Sequence, residues 1–412
     1  MGGLKHSPWA ALLMFVVLVG FLLITAALIV TTIDFPISDF FSFWLAGRMV
    51  LSGEDPYSPQ AWAEGHMRFE ATWRSDPTFL YPIPVAILFA PLGLLPEEQA
   101  LIGWVFLLEL MILLSGILLM GRLGLGRLSP FAFPLVAGLA LFRPTWALLL
   151  SGQFSGLLLL ACALAVFLWV RGQWFAGGAA MAFLLLKPSI GIPVIALAAG
   201  LLIVQRKSRA LLGLATAALV LVLVTLPVRP GWPSEFLTIA TTKLTHTFGF
   251  TPTVWGLSAY LSGYAGLASI GIGLLATCVL LIVWGFVILH WRGRIDPGLG
   301  LGLTLCVALL ATPYAWPYDQ ILLVIPILLI VSSLITEGRA FLIAASFFLL
   351  VDCLAVVLVL ASMPLQMEVW SALLPLAVFL AGLLVLLTKK AGPLAKDSAR
   401  ELEGQANAPS LG

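Results

Sequence analysis

Long apolar runs separated by short polar breaks organise the chain. They cover 9–33, 98–120, 129–142, 153–170, 174–186, 189–204, 210–226, 265–290, 297–312, 320–336, 340–362 and 369–388. A helix needs roughly 20 apolar residues to cross a bilayer. The runs show no alternation of period two, so helices are expected and barrel strands are not. Within lipid, backbone amides must be satisfied inside the protein, which a helix does by itself. The pattern predicts an all-α polytopic membrane protein with about 12 transmembrane helices, several of them short.

Two polar intervals are long enough to hold structure of their own. The first, 34–97, is expected to carry two interfacial helices, near 38–51 and 58–74. Ser58 is placed to cap the second, with Pro59 at its first position. The apolar stretch "FLYPIPVAILFAPLGLLP" (79–96) is short and holds four prolines. Were it to span, Arg122 and Arg127 would change sides, so it is expected to lie along the interface. The second interval, 227–264, is rich in aromatic residues, threonine and proline. Residues 1–388 read as one transmembrane domain and 389–412 as a disordered cytoplasmic tail.

Composition sharpens this picture. Of 412 residues, 61% are hydrophobic and 10% charged, with mean hydropathy +1.10. Soluble domains carry roughly 25% charged residues. A net charge of +2 offers no footprint for nucleic acid. Cys162, Cys278, Cys306 and Cys353 sit in apolar runs without ligand spacing and read as small hydrophobes. The first run is longer than a signal-peptide core and lacks a small-residue cleavage pattern, so an uncleaved signal anchor is expected. With both termini in the cytoplasm, fourteen of the 21 lysines and arginines fall on the inner side. That bias fits the positive-inside rule and a multi-pass plasma (inner) membrane protein.

The acids crowd where the charge is otherwise sparse. Asp34, Asp39, Glu54, Asp55, Glu64, Glu70 and Asp76 all lie in the first outer interval. On a helix from about Ser38, Asp39, Phe43, Gly47 and Val50 share a face, with Trp44 and Arg48 beside them. Asp39 can complement the positive end of that helix or act as a base; spacing leaves both open. Asp55 before Pro56 reads as turn chemistry. Other outer marks sit at run ends: Arg143, Trp146, Gln153 and Ser155; Lys187; and Tyr314, Trp316, Tyr318 and Asp319. Singly they read as snorkelling cations and an aromatic belt. At one membrane face together they suit a sugar-phosphate lipid headgroup. Glu109 and Asp352 lie inside runs, where a charge is costly, and helix packing accounts for them as well as function does. The histidines lack metal-ligand spacing. "GRLGLGRL" (121–128) follows no strand and is not a nucleotide loop.

In order, "SDFFSFWLAGRMVLSGEDPY", "FLYPIPVAILFAPLGLLP", "GQFSGLLLL", "LLLKPSIG" and "TPYAWPYDQILL" resemble glycosyltransferase family 87 from about 34 to 330. The family is a GT-C-type group that includes polyprenol-phosphate-mannose-dependent mannosyltransferases of phosphatidylinositol mannosides. The resemblance implies a GT-C-like membrane enzyme. It would move a hexose, commonly mannose, from a polyprenyl-phosphate donor to a lipid or glycan acceptor on the outer face, inverting the anomeric centre. Asp39 falls on the family's Asp-Phe…Ala-Gly motif and would be the base; Asp34 lacks the following Ala-Gly spacing. Some relatives have histidines where Tyr318 and Asp319 stand. The leaving polyprenyl phosphate needs positive charge. Lys187 is the first choice for it and Arg143 the second, with Arg229 and Lys243 also on that side. Arg48, Gln153, Tyr81, Tyr318 and Asp319 complete the expected substrate contacts. No cofactor is implied, and the outer acids are spaced too loosely to name a metal site. Two other classes stay open. A transporter or flippase would need charged pairs or broken helices at the midplane and a repeat between halves. A ligase-type or phosphotransferase lipid-carrier enzyme would carry its long outer loop after many spans.

Overall fold

The computed structural model describes residues 8–71, 76–122, 132–264, 266–292, 295–334, 340–365 and 368–388. The tail 389–412, Lys5, Arg74, Arg127, Arg294 and Arg339 lie outside them. The described residues are helical and contain no strand. In chain order the α-helices are α1 (Pro8–Val30), α2 (Asp39–Ser52), α3 (Pro59–Arg68), α4 (Ile83–Gly93), α5 (Glu97–Arg122) and α6 (Ala132–Leu141). Then come α7 (Arg143–Ser151), α8 (Ser155–Val170), α9 (Trp174–Met181), α10 (Pro188–Val204), α11 (Ser208–Thr225) and α12 (Trp232–Thr247). The last are α13 (Val254–Leu261), α14 (Gly266–His290), α15 (Pro297–Ala311), α16 (Val324–Leu334), α17 (Ala340–Ser362) and α18 (Leu373–Thr388).

Among the described residues, six helical stretches are long and apolar enough to cross a membrane. They are Glu97–Met120, Ser208–Thr225, Gly266–His290, Pro317–Leu334, Phe341–Leu365 and Val369–Thr388. A seventh arises if α6 and α7, bent by 57°, count as one broken span. α6 ends where the run 129–142 was expected to end, and the α7 that follows the break was not expected. Phe142 is extended, and Pro144 in the first turn of α7 cannot continue the ladder of the helix before it. Other expected runs fold as apolar helices of 10–17 residues.

Two further expectations are filled in. The helix expected near 38–51 forms as α2 and is deeply packed, with Phe40, Phe41, Phe43, Trp44, Leu45, Ala46, Gly47 and Met49 all buried. The 79–96 segment is helical rather than extended, with one face buried and Leu88, Leu94 and Leu95 exposed. It forms α4, with Phe89, Ala90 and Gly93 buried against α2. The reason is a close approach: a Cβ on Gly47 would sit 2.7 Å from the Phe89 carbonyl carbon. Small residues let backbones meet, and packing rather than water expulsion holds helices together in lipid. α3 is capped by Ser58 as expected, the Ala61 amide donating to its hydroxyl at 3.3 Å. It stops at Arg68 instead of 74, because Glu70 takes a left-handed conformation at φ 55°. The second outer interval, read as loop, contains α12 and α13.

α15 is the axis of the bundle. Thirteen of its fifteen residues, Gly298–Leu310, are buried, with α8, α10, α14, α16 and α18 around it. α14 shows the opposite: Leu267, Leu275, Ile282, Phe286 and Leu289 point outward, as a lipid-facing surface should.

Candidate active site

The site forms where five segments meet: the start of α2, the strand-like approach to α4, the turn between α7 and α8, the start of α10 and the 3-10 helix Pro317–Leu323. Ser38 takes the cap position of α2, leaving Asp39 in its first turn. The Asp39 carboxylate is not spent on the cap. Its Oδ2 accepts from Gln153 Nε2 at 3.1 Å. Gln153 is delivered by Gly152, which ends α7 at φ 66° with the ring of Phe40 packed on it; a Cβ there would lie 2.6 Å from Phe40 Cβ. The Gly152 carbonyl accepts from Trp104 Nε1 at 2.7 Å, which fixes the turn. Gln153 Nε2 also reaches the hydroxyls of Tyr81, at 2.9 Å, and Tyr318, at 3.3 Å. Its carbonyl faces Lys187 Nζ at 3.4 Å.

Lys187 is 1% exposed and stands between a 3-10 turn and Pro188 of α10. Burying an ammonium there is tolerable only with partners. Asp319 Oδ1 lies 2.6 Å away, Ser155 Oγ 3.2 Å away, and the Tyr318 ring lies 4.4 Å from Nζ. Asp319 is itself held by the Ser155 hydroxyl at 2.5 Å and by the Trp316 amide, which donates to Oδ2 at 2.9 Å. The local fold thus brings two carboxyls, one ammonium and one amide into a continuous network. Burial raises the Asp39 carboxyl above its ordinary value, with Asp319 and Asp76 adding to this; the Gln153 hydrogen bond and Lys187 work against it. Burial lowers the Lys187 ammonium, and the carboxylates of Asp319 and Asp39 oppose that. Burial holds the Tyr81 hydroxyl in its phenol form.

Two cavities flank this network. One, of about 340 Å³, is lined by Ser38, Asp39, Ser42, Trp62, His66, Asp76, Thr78, Trp316 and Tyr318 among others. The other, of about 240 Å³, is an apolar groove between α10 and α12, lined by Lys187, Pro188, Ser189, Ile192, Phe236, Leu237, Ala240 and Thr241. Leu80, Tyr81 and Tyr314 line both. Asp39 therefore opens to the polar cavity, and Lys187 stands at the head of the groove.

Of the residues picked from sequence, Asp39, Tyr81, Gln153, Lys187, Tyr318 and Asp319 come together. Arg143 and Arg48 do not join them. Arg143 pairs with Glu368 ahead of α18, and its neighbour Trp146 is turned outward at 46% exposure. Arg48 donates to the Gly93 carbonyl at 3.1 Å and covers the rings of Trp44 and Phe69. Arg229 is taken by Glu235 at 2.6 Å and Asp55 at 2.8 Å, and the hydrogen bond to Glu235, with Asp55 beside it, raises its guanidinium above its ordinary value. Asp55 also makes the expected turn, accepting from the Tyr57 amide at 2.9 Å. The Lys243 side chain lies outside the described residues. Asp34 is exposed and does not line the polar cavity. Glu109 finds a partner in Thr25 of α1 at 2.9 Å, whereas Asp352 Oδ1 has none among the described residues. No group of three metal-ligating side chains occurs among the described residues. Sequence reading missed Trp62, His66 and Thr78 as cavity walls, since nothing in their spacing separates them from helix packing.

A helical, polytopic membrane protein with a buried polar network beside an apolar groove is the class defined by this geometry. The profile of glycosyltransferase family 87 matches residues 79–313, more than half of the chain, and the chain belongs to that family. It is a membrane glycosyltransferase. No curated protein and no solved structure matches it. Asp39 lies ahead of the matched residues; Tyr81, Gln153 and Lys187 lie within them, and Tyr318 and Asp319 just beyond.

Proposed function

We propose that the protein transfers a hexose, mannose in the first instance, from a polyprenyl-phosphate carrier to a hydroxyl of a lipid or glycan acceptor at the outer face of the plasma membrane. The observation that carries this reading is the placement of Asp39 and Lys187 on opposite sides of Gln153, one in a polar cavity and the other at the head of an apolar groove. The groove suits the first isoprene units and the phosphate, with the start of α10 and Lys187 supplying positive charge. The polar cavity suits the acceptor. Its hydroxyl oxygen attacks the anomeric carbon, Asp39 accepts the hydroxyl proton, and the bond from that carbon to the phosphate oxygen breaks with its electron pair on the phosphate. Polyprenyl phosphate is a stable anion and needs no proton to leave. One carboxylate and a single displacement give inversion. Gln153 bonded to Asp39 orients the base. The charge bias of the loops supports the outer placement.

The test is complementation of a deletion strain. Its lipid extract is expected to lack one glycolipid or glycan present in the parent. The wild-type gene should restore it and an Asp39→Asn copy should not. Restoration by Asp39→Asn at normal protein level would refute the role of Asp39.

A further inference from the structure

The two cavities stand side by side. Leu80, Tyr81 and Tyr314 line both, so these side chains are the partition between the groove and the polar cavity. Tyr81 is pinned at both ends: its hydroxyl accepts from Gln153, and its carbonyl accepts from the Tyr57 hydroxyl at 2.7 Å. Phe43, Phe79 and Phe154 pack around its ring. Tyr314 is fixed through its backbone. Its amide donates to Thr312 Oγ1 at 3.3 Å, and that hydroxyl donates to the Ser189 carbonyl at 2.7 Å. The Tyr314 segment is thereby tied to the start of α10, where Lys187, Pro188 and Ser189 line the groove. Its ring stands edge-on to Trp316, a wall of the polar cavity, at 6.0 Å.

From this we infer that Tyr314 is a specificity-determining residue: its ring stands between the polar cavity and the sugar–phosphate bond at the head of the groove and leaves room there for the hydroxyl of a bound acceptor but not for free water, so that the sugar passes to an acceptor and not to water. The inference rests on the transfer reading above. A site that handles an activated sugar must exclude water from it. The polar cavity is lined by Asp39, Asp76, Ser42 and Thr78 and is suited to hold water whenever no acceptor is bound. If the partition is opened, water takes the acceptor's place. Its oxygen bonds to the anomeric carbon, one of its protons goes to Asp39, and the carbon–oxygen bond to the phosphate breaks, releasing free sugar and polyprenyl phosphate. Tyr314 is the member of the partition best suited to this role. Tyr81 also orients Gln153, so changing it disturbs the base, whereas no hydrogen bond ties the Tyr314 ring to Asp39, Gln153 or Lys187.

The experiment uses the full chain in proteoliposomes with polyprenyl-phosphate-[14C]mannose as donor. Release of free mannose is measured without acceptor, and transfer is measured with a total lipid extract of the deletion strain as acceptor. Tyr314→Ala is expected to release mannose about tenfold faster than wild type, a barrier lowered by about 1.4 kcal/mol, and to raise the ratio of release to transfer. Tyr314→Phe keeps the ring and is expected to release less than Tyr314→Ala. Where the alanine variant fails to fold, Tyr314→Thr replaces it. Release by the small-residue variant equal to or below wild type overturns the inference, and a parallel fall in release and transfer does the same. Asp39→Asn separates this from the reading beneath it: abolished transfer leaves that reading standing whatever Tyr314 does, and retained transfer sinks it.

Discussion

The two cavities are neighbours built on different principles. The polar one is framed by α2 and the chain around it, where carboxyl, hydroxyl and indole groups alternate with phenyl rings. The groove is framed by α10 and α12, and apart from Lys187, Ser189, Thr241 and the shared tyrosines it is hydrocarbon. The polar cavity is fixed by a network of side-chain hydrogen bonds, whereas the groove below Lys187 and Ser189 presents mainly apolar side chains. Leu237 and Ile192 remain exposed at 61% and 55%, open to whatever lies beside α10 and α12. The difference teaches a division of labour: geometry must be exact where a proton moves, whereas a lipid chain needs only a continuous apolar path.

That division can be broken at graded cost. The largest effect is expected at Asp39. Asp39→Asn keeps the amide of Gln153 near a polar oxygen but removes the base, and transfer should fall by about 10²–10⁴-fold with the protein still folded. The pH profile of the wild type follows the same group. Because burial raises the Asp39 carboxyl, its base form is lost as pH falls through a value above the usual aspartate range of about 4. Activity should therefore drop on the acid side earlier than an exposed aspartate would cause, and a profile flat down to pH 4 would contradict this.

Next in size is the ion pair between the cavities. Lys187→Ala strands the fully buried Asp319, which costs roughly 3–5 kcal/mol of stability. A lower unfolding midpoint and lost transfer are both expected. The double change Lys187→Met with Asp319→Leu should recover the midpoint without recovering transfer; recovered transfer would reduce Lys187 to a structural ion. The smallest effect lies in the groove. Leu237→Glu puts a charge on the lipid path and should raise the KM for donor about tenfold, equivalent to about 1.4 kcal/mol, with kcat at saturation little changed. An unchanged KM would move the donor path elsewhere.

The same contrast explains what the sequence disclosed. Composition and apolar runs gave away the membrane class because lipid tolerates few other patterns. Asp39, Gln153, Lys187, Tyr318 and Asp319 were legible because each is polar in a setting that penalises polarity. Arg143 and Arg48 looked equally conspicuous, yet each satisfies its charge or donors locally, on Glu368 and on the Gly93 carbonyl. A cation at a run end does not announce which partner it will find. The close approach of α2 and α4 was not legible, because their sequences carry no charge pattern that reveals how near Gly47 lets them come. The break before Arg143 was legible in the run that ends at 142, but the nine residues of α7 beyond it were too few and too mixed to read as a helix. α12, which supplies half the groove, hid in a stretch of mixed aromatic and polar residues with no clear period.

The central claim is that a single lipid-linked donor lies with its tail between α10 and α12 and its sugar–phosphate bond at the head of the groove, against the Tyr81–Tyr314 partition. A polyprenyl phosphate carrying a photoreactive group on its first isoprene unit, activated in membranes and mapped by mass spectrometry, tests it most directly. Labelling within 188–192 and 236–241 that unlabelled polyprenyl phosphate competes away is the expected result. Labelling confined to the outward faces of α14 and α17, insensitive to competition, would contradict the account.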